Sequence, residues 1–374
     1  MIYFDNAATT LRKPPGVAQA VAEAVSVMGN PGRSGHTAAR LAADAVYACR
    51  MLASELFEIE PTDVVFTMNA THGLNIAIRS LVPPGGRVVI SGFEHNSVTR
   101  TLEALHASVS VAGDRLFDPA YSLHSFEAAI RPDSDAVIVN HISNVFGYVQ
   151  PLEEIAELCS RKGVPLIVDA AQSAGVLPLS AEKLHAAYIA MPGHKALFGP
   201  QGSGLLLCGR KPEPLLYGGT GSYSMLRTMP EELPDRIEAG TLNVPGICGL
   251  AEGLRFVMQT GFSVIRHREE NLLRSFCMGM RDLPGWRLCG GEVQIGALSL
   301  VPSGTDCETA AEWLSEHGIA VRAGLHCSPL AHRSAGTDRT GTVRFSFSCL
   351  NTEAEVRDAL TLLHGYRLHG EETV

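Results

Sequence analysis

The chain has 374 residues, 45% of them hydrophobic and 18% charged, and its 30 Lys and Arg against 39 Asp and Glu give a net charge of −9. That length exceeds what one core fills, so a large domain plus a smaller one is expected. The acidic balance argues against a surface that tracks nucleic-acid phosphates, and no apolar run is long enough to span a bilayer.

The opening MIYFDNAATT has neither a basic stretch nor an unbroken apolar one, so no secretory leader is expected and the expected location is the cytoplasm. Pro14-Pro15 opens a helix that stops at Gly29, and the GNPGRSGH stretch after it reads as an exposed loop whose Arg33 and His36 are of the kind that face ligands. Apolar runs at 64–66, 87–90, 107–111, 136–139, 165–168, 187–190 and 205–207 predict strands, and helical periods at 74–81, 97–105 and 152–161 fall between them. This is the rhythm of a mostly parallel seven-stranded sheet covered on both faces, an α/β fold. From about 245 to 281 the pattern is helical with a break at Gly261, and strand and helix then alternate at 297–301, 307–316, 320–322, 342–347 and 352–363. We expect a large domain over 15–250 and a small α/β domain built from 1–14 and 251–374. No repeat or low-complexity tract interrupts it. The nine cysteines are odd in number and lack C-x-x-C pairs, so Cys49, Cys159, Cys208 and Cys248 read as reduced packing residues.

Two residues at strand ends carry most chemistry. Lys195, in Pro192-Gly193-His194-Lys195, follows one apolar run, and Asp169 ends another, PLIVD. A lysine and an acid so placed can hold pyridoxal phosphate between them, the amine as Schiff base and the carboxylate on the pyridine nitrogen. Taken singly, the lysine is a solvated turn residue, and the acid a metal ligand without a second ligand at the right spacing. The strand at 64–67 runs through Asn69, Ala70, Thr71 and His72 into a helix, whose first amides and the Thr71 hydroxyl fit a phosphate; Asn69 or Thr71 equally serves as an ordinary cap. Gln172 is either a donor to the ring's phenolic oxygen or a polar cap, and His95 either a ring stacked on the cofactor or a structural histidine. Cys327 lies in RAGLHCSP, a loop pattern that predicts exposure, where His326 can lower its thiol pKa.

The segments FDNAATT, NATHGLN, EHNS, HISNVFG, VDAAQSAG, PGHKALFGPQGSG, EAGTLN, RAGLHCSP and TVRFSFSCLNTEAEV, in this order over nearly the whole length, resemble the class V family of fold-type I pyridoxal phosphate enzymes, in particular its cysteine desulfurase and selenocysteine lyase group. The resemblance implies Lys195 as the Schiff-base lysine, Asp169 as the pyridinium partner, Gln172 at the phenolic oxygen and His95 as the stacking imidazole and proton carrier. It implies Ala70, Thr71 and His194 around the phosphate, Asn144 by the ring oxygen and the substrate carboxylate, and Arg344, with His36, at the substrate. Thr241 would reach the phosphate of a neighbouring subunit, so a homodimer with shared sites is implied. Cys327 would take sulfur from L-cysteine as a persulfide, leaving L-alanine, and pass it to an acceptor protein.

Three departures mark this chain. Pro192 stands where the group usually has a serine that binds the phosphate, Leu325 replaces a frequent histidine, and the stretch from Gly218 to Glu238 is shorter than the usual hairpin. Selenocysteine as substrate, another class V aminotransferase or lyase, and a non-catalytic pyridoxal-phosphate-binding protein are the alternatives, the last without any visible DNA-binding module.

Overall fold

In the computed structural model of the chain, residues 1–32 and 34–365 are described. Arg33 and positions 366–374 of the expected small domain lie outside them. Seven strands form one sheet in the spatial order Val64–Thr67, Gly204–Cys208, Tyr188–Pro192, Leu166–Asp169, Ala136–Asn140, Arg87–Ser91 and Ser108–Ala112. Neighbours are parallel except around Gly204–Cys208, which runs antiparallel to both of its partners.

Alternation along the buried strands explains the layers. Val137 and Val139 enter one core with residues of the helices Thr37–Phe57 and Val244–Thr260. Ala136 and Ile138 enter a second core with the helix Ala70–Leu81 and, beside it, Asn96–Ala104. Gly73 lets the first of these helices ride close on the sheet, since a Cβ there would stand 3.2 Å from that of Ala190. The fold is thus the expected fold-type I α/β arrangement, a mostly parallel seven-stranded sheet between helices.

A second sheet, antiparallel, contains Arg322–Gly324, Thr342–Ser346, Ala297–Pro302 and Trp286–Cys289. Ile2–Tyr3 pairs in parallel with Ile319–Ala320, and Phe4 is buried against Phe276 and Phe347, so the first residues pack with the C-terminal part. The helix Val244–Thr260 runs unbroken across position 250, and its Leu250, Ala251 and Leu254 share the core of the large sheet. The run expected at 320–322 is two short strands serving different sheets, with Val321 between them. The 21-residue helix Thr37–Phe57 was not apparent in the sequence pattern. No helix among the described residues is long and apolar enough to cross a membrane.

Candidate active site

Parallel strands in register bring their C-terminal ends to one edge, the usual place for a site in this architecture. Asn140 aligns with Asp169, and Asp169 with Ala190, two residues before Pro192. The turn after Pro192 needs Gly193, where any Cβ would collide with Ser203 Oγ, and it delivers His194 and Lys195. A cavity of about 300 Å³ opens there. Ala70, Thr71, His95, Asn144, Asp169, Gln172, His194, Lys195, Cys327 and Arg344, all expected from the sequence, line it together.

Burial governs the charges. Desolvation lowers the Lys195 pKa to about 8, against the opposing pull of Asp169 and with help from Arg344 and Arg322. Burial raises Asp169, which is 2% exposed, while the Ala171 amide, donating to Oδ1 at 2.9 Å, and the Lys195 charge act the other way. An acid in that position is stabilised by a cation brought to it. Behind it stands Glu94, a second buried acid not singled out by the sequence. Its Oε1 accepts from Ser91 Oγ at 2.5 Å and from the Asn140 amide at 2.7 Å, and burial pushes its pKa to about 8.

On the phosphate side, Asn69 caps the helix Ala70–Leu81 by accepting the His72 amide at 2.9 Å. The amides of Ala70 and Thr71 have no hydrogen-bond partner among the described residues. Free amides at a helix start suit an anion. His194 is neutral here, its pKa lowered to about 4 chiefly by burial, and its Nδ1 is buried without a partner. These features fit pyridoxal phosphate, with amides for the phosphate, a carboxylate for the ring nitrogen and an amine for the aldehyde.

Several expected residues have commitments that the sequence did not disclose. Gln172 Nε2 donates to the Ala7 carbonyl at 2.9 Å. Asn144 clamps the cysteine loop: its Nδ2 donates to the His326 carbonyl at 2.9 Å, and its Oδ1 accepts from Ser328 Oγ at 2.7 Å. Arg344, 2% exposed, donates to Asp5 Oδ1 at 2.6 Å and to the Asn144 carbonyl at 2.8 Å. His326 departs from expectation. Its Nε2 faces Thr342, and burial, aided by Arg344, His332 and Arg322, drives its pKa down to about 2, so it brings no charge to the thiol. The cations lining the cavity with Cys327 are Lys195, Arg322 and Arg344. Cys327 itself has φ +58° beside His326 at +49°, and its carbonyl accepts from the Asn96 amide at 2.8 Å.

His36 and Thr241 are not brought to this cavity. His36 caps the helix Thr37–Phe57 through Nδ1, which accepts the Ala39 amide at 3.2 Å. Thr241 is exposed in a separate cleft with Asn30, Gly32 and Thr220.

A family model for class-V aminotransferases matches residues 2–359. The chain belongs to the class-V aminotransferase family. A probable cysteine desulfurase of Mycolicibacterium paratuberculosis is 32% identical over 95% of this chain, which spans 54% of that protein's length. Another, from Pyrococcus abyssi, is 29% identical over 97% of this chain and 93% of its own length. Among solved structures, the apo cysteine desulfurase of Thermococcus onnurineus NA1 superposes with a TM-score of 0.89 at 29% identity, covering 97% of this chain and 94% of that one. An Escherichia coli cysteine desulfurase in an S-sulfonic acid form gives 0.84 at 26% identity, covering 97% and 93%.

Proposed function

We propose that this class-V protein is a pyridoxal-phosphate-dependent cysteine desulfurase, which converts L-cysteine to L-alanine and retains the sulfur on Cys327. One observation carries the reading. Of the nine cysteines, all among the described residues, Cys327 alone is exposed, and it lines the cavity that holds Lys195 and Asp169. An aminotransferase has no use for a thiol there.

In this reading Lys195 attaches the cofactor, Asp169 pairs with its ring nitrogen, and Ala70, Thr71 and His194 hold its phosphate. When bound, the cofactor supplies an electron sink that makes the substrate's α-proton acidic. Once the substrate amine has taken its place on the cofactor, the freed Lys195 amine, whose pKa burial lowers to about 8, would be the base for that proton. Arg344 offers the substrate carboxylate a guanidinium already oriented by Asp5 and the Asn144 carbonyl. The Cys327 thiolate attacks the substrate sulfur; the carbon–sulfur bond breaks, its electron pair stays with the carbon, and a proton completes alanine. His95, Asn144 and Gln172 orient the reactants. His36 and Thr241 serve the cavity of a second copy in a homodimer, for both lie away from their own Lys195. A soluble cytoplasmic protein passing sulfur to an acceptor protein completes the proposal.

The test is direct. Protein loaded with pyridoxal phosphate and given L-cysteine should release alanine, and alkylation followed by peptide mapping should find a persulfide on Cys327. Cys327→Ala should lose at least about 100-fold in alanine formation while keeping the cofactor's absorbance, since nucleophilic and acid-base groups typically contribute that much. Alanine formation by that variant at the wild-type rate would overturn the proposal.

A further inference from the structure

The helices Ala70–Leu81 and Asn96–Ala104 start side by side at the cavity, and one hydrogen bond joins their first turns, Thr71 Oγ1 to Ser97 Oγ at 2.7 Å. His95 caps the second helix: its Nδ1 accepts the Ser97 backbone amide at 3.0 Å. An amide N–H can only donate. Nδ1 therefore carries no proton, and the neutral imidazole has its hydrogen on Nε2. Ser97 Oγ lies 2.8 Å from the same Nδ1, and since that nitrogen accepts, the hydroxyl is its donor. Thr71 steadies the hydroxyl from the other side, and Ser97 is only 8% exposed, so water competes poorly for these bonds. Burial first, then the charges of Lys195, Arg322, Arg100 and Arg344, disfavour a second proton on the ring and lower its pKa to about 4.

We propose that Ser97 is a positioning residue that fixes His95 as the neutral Nε2–H tautomer, so that the ring edge opposite the helix cap carries a proton donor. The task this gives His95 rests on the desulfurase reading. There, the Nε2–H of the neutral imidazole offers the substrate a hydrogen bond, while Nδ1, the ring's one basic nitrogen, is engaged at the helix cap. The Ser97 backbone amide and hydroxyl hold the tautomer together, and the hydroxyl also lowers the basicity of Nδ1.

The experiment is nitrogen NMR on protein labelled with ¹⁵N-histidine, without substrate, at pH 7.5 for the tautomer and titrated downward from there for the midpoint, with the His95 signals identified by their loss in His95→Gln. The expected wild-type pattern is an unprotonated Nδ1 and a protonated Nε2. Ser97→Ala should raise the His95 titration midpoint by about 0.7 pH units, the roughly fivefold change that one hydrogen bond supplies, and Ser97→Thr should restore it. A wild-type pattern with the proton on Nδ1, or with both nitrogens protonated, would overturn the proposal without any variant. So would a Ser97→Ala midpoint equal to that of wild type. Because the measurement needs no turnover, a protein that made no alanine would remove the desulfurase reading and leave this one standing.

Discussion

At the scale of single residues, Arg344 shows how an unremarked partner decides what a side chain can do. Its guanidinium is almost fully buried, and Asp5, 339 positions away, supplies the opposing charge at 2.6 Å. Removing one member of such a pair leaves an uncompensated charge, which costs more than the pair contributes. Asp5→Asn should therefore lose about 2–4 kcal/mol in urea unfolding, and Asp5→Asn with Arg344→Met should recover much of it. Equal stability of Asp5→Asn and wild type would contradict this. The positions of Lys195 and Asp169 were readable because one closely follows an apolar run and the other ends one, so the local pattern itself places both near strand ends, where they line one cavity. Asp5 and Ser97 gave no such signal: their importance lies in what the fold brings opposite them.

At the scale of elements, the cysteine loop is held by a strand turn rather than by its own sequence. Asn144 uses both ends of its amide on this loop, and Cys327 and His326 sit in the left-handed region, a conformation that non-glycine residues leave when released. Asn144→Ala removes both bonds and strands the buried Ser328 hydroxyl. We expect a loss of about 1–3 kcal/mol in stability. Hydrogen exchange at the Ser328 amide, which donates to the Leu325 carbonyl, should speed up by at least about tenfold. Unchanged exchange would mean that the clamp is idle. RAGLHCSP predicted an exposed loop, and Cys327 is exposed; that His326 turns inward to Thr342 depends on a strand 16 residues later in its packing, which periodicity does not register. The helix Thr37–Phe57 went unread for a local reason: the Gly- and Pro-rich stretch before it dominates the signal, and its buried face mixes small residues and a buried Arg50 with few large apolar ones.

At the scale of the whole molecule, the alternation of strands and helices revealed a parallel sheet, whereas strand order and the reversed Gly204–Cys208 follow from long-range pairing that no local pattern encodes. The assembled molecule also buries ionisable groups with opposite pH responses. His95, His141, His194 and His332 are held near a pKa of about 4, below their ordinary 6.5. Between those values the unfolded chain binds more protons than the folded one, so stability rises with pH from about 4 to 6.5. Glu94 and Glu269 respond in reverse, since burial raises each from 4.5 to about 8. From 4.5 to 8 the folded protein keeps a proton that the unfolded chain releases; stability contributed by the neutral acids is full below 4.5 and lost as pH climbs to 8. With His326 lowered further still and burial raising Asp169 and Glu238 as well, histidines and acids oppose each other below 6.5, and above it the raised acids act alone, so stability should fall from pH 6.5 to 8. Among the described residues Glu269 accepts only the Cys349 amide, at 3.2 Å, so Glu269→Gln removes a titrating acid while keeping a carbonyl oxygen for that amide. Urea unfolding of Glu269→Gln should show a decline from pH 6.5 to 8 shallower than wild type by up to about 1.4 kcal/mol per pH unit. Parallel stability profiles for the two proteins across that range would show that Glu269 is already ionised in the fold.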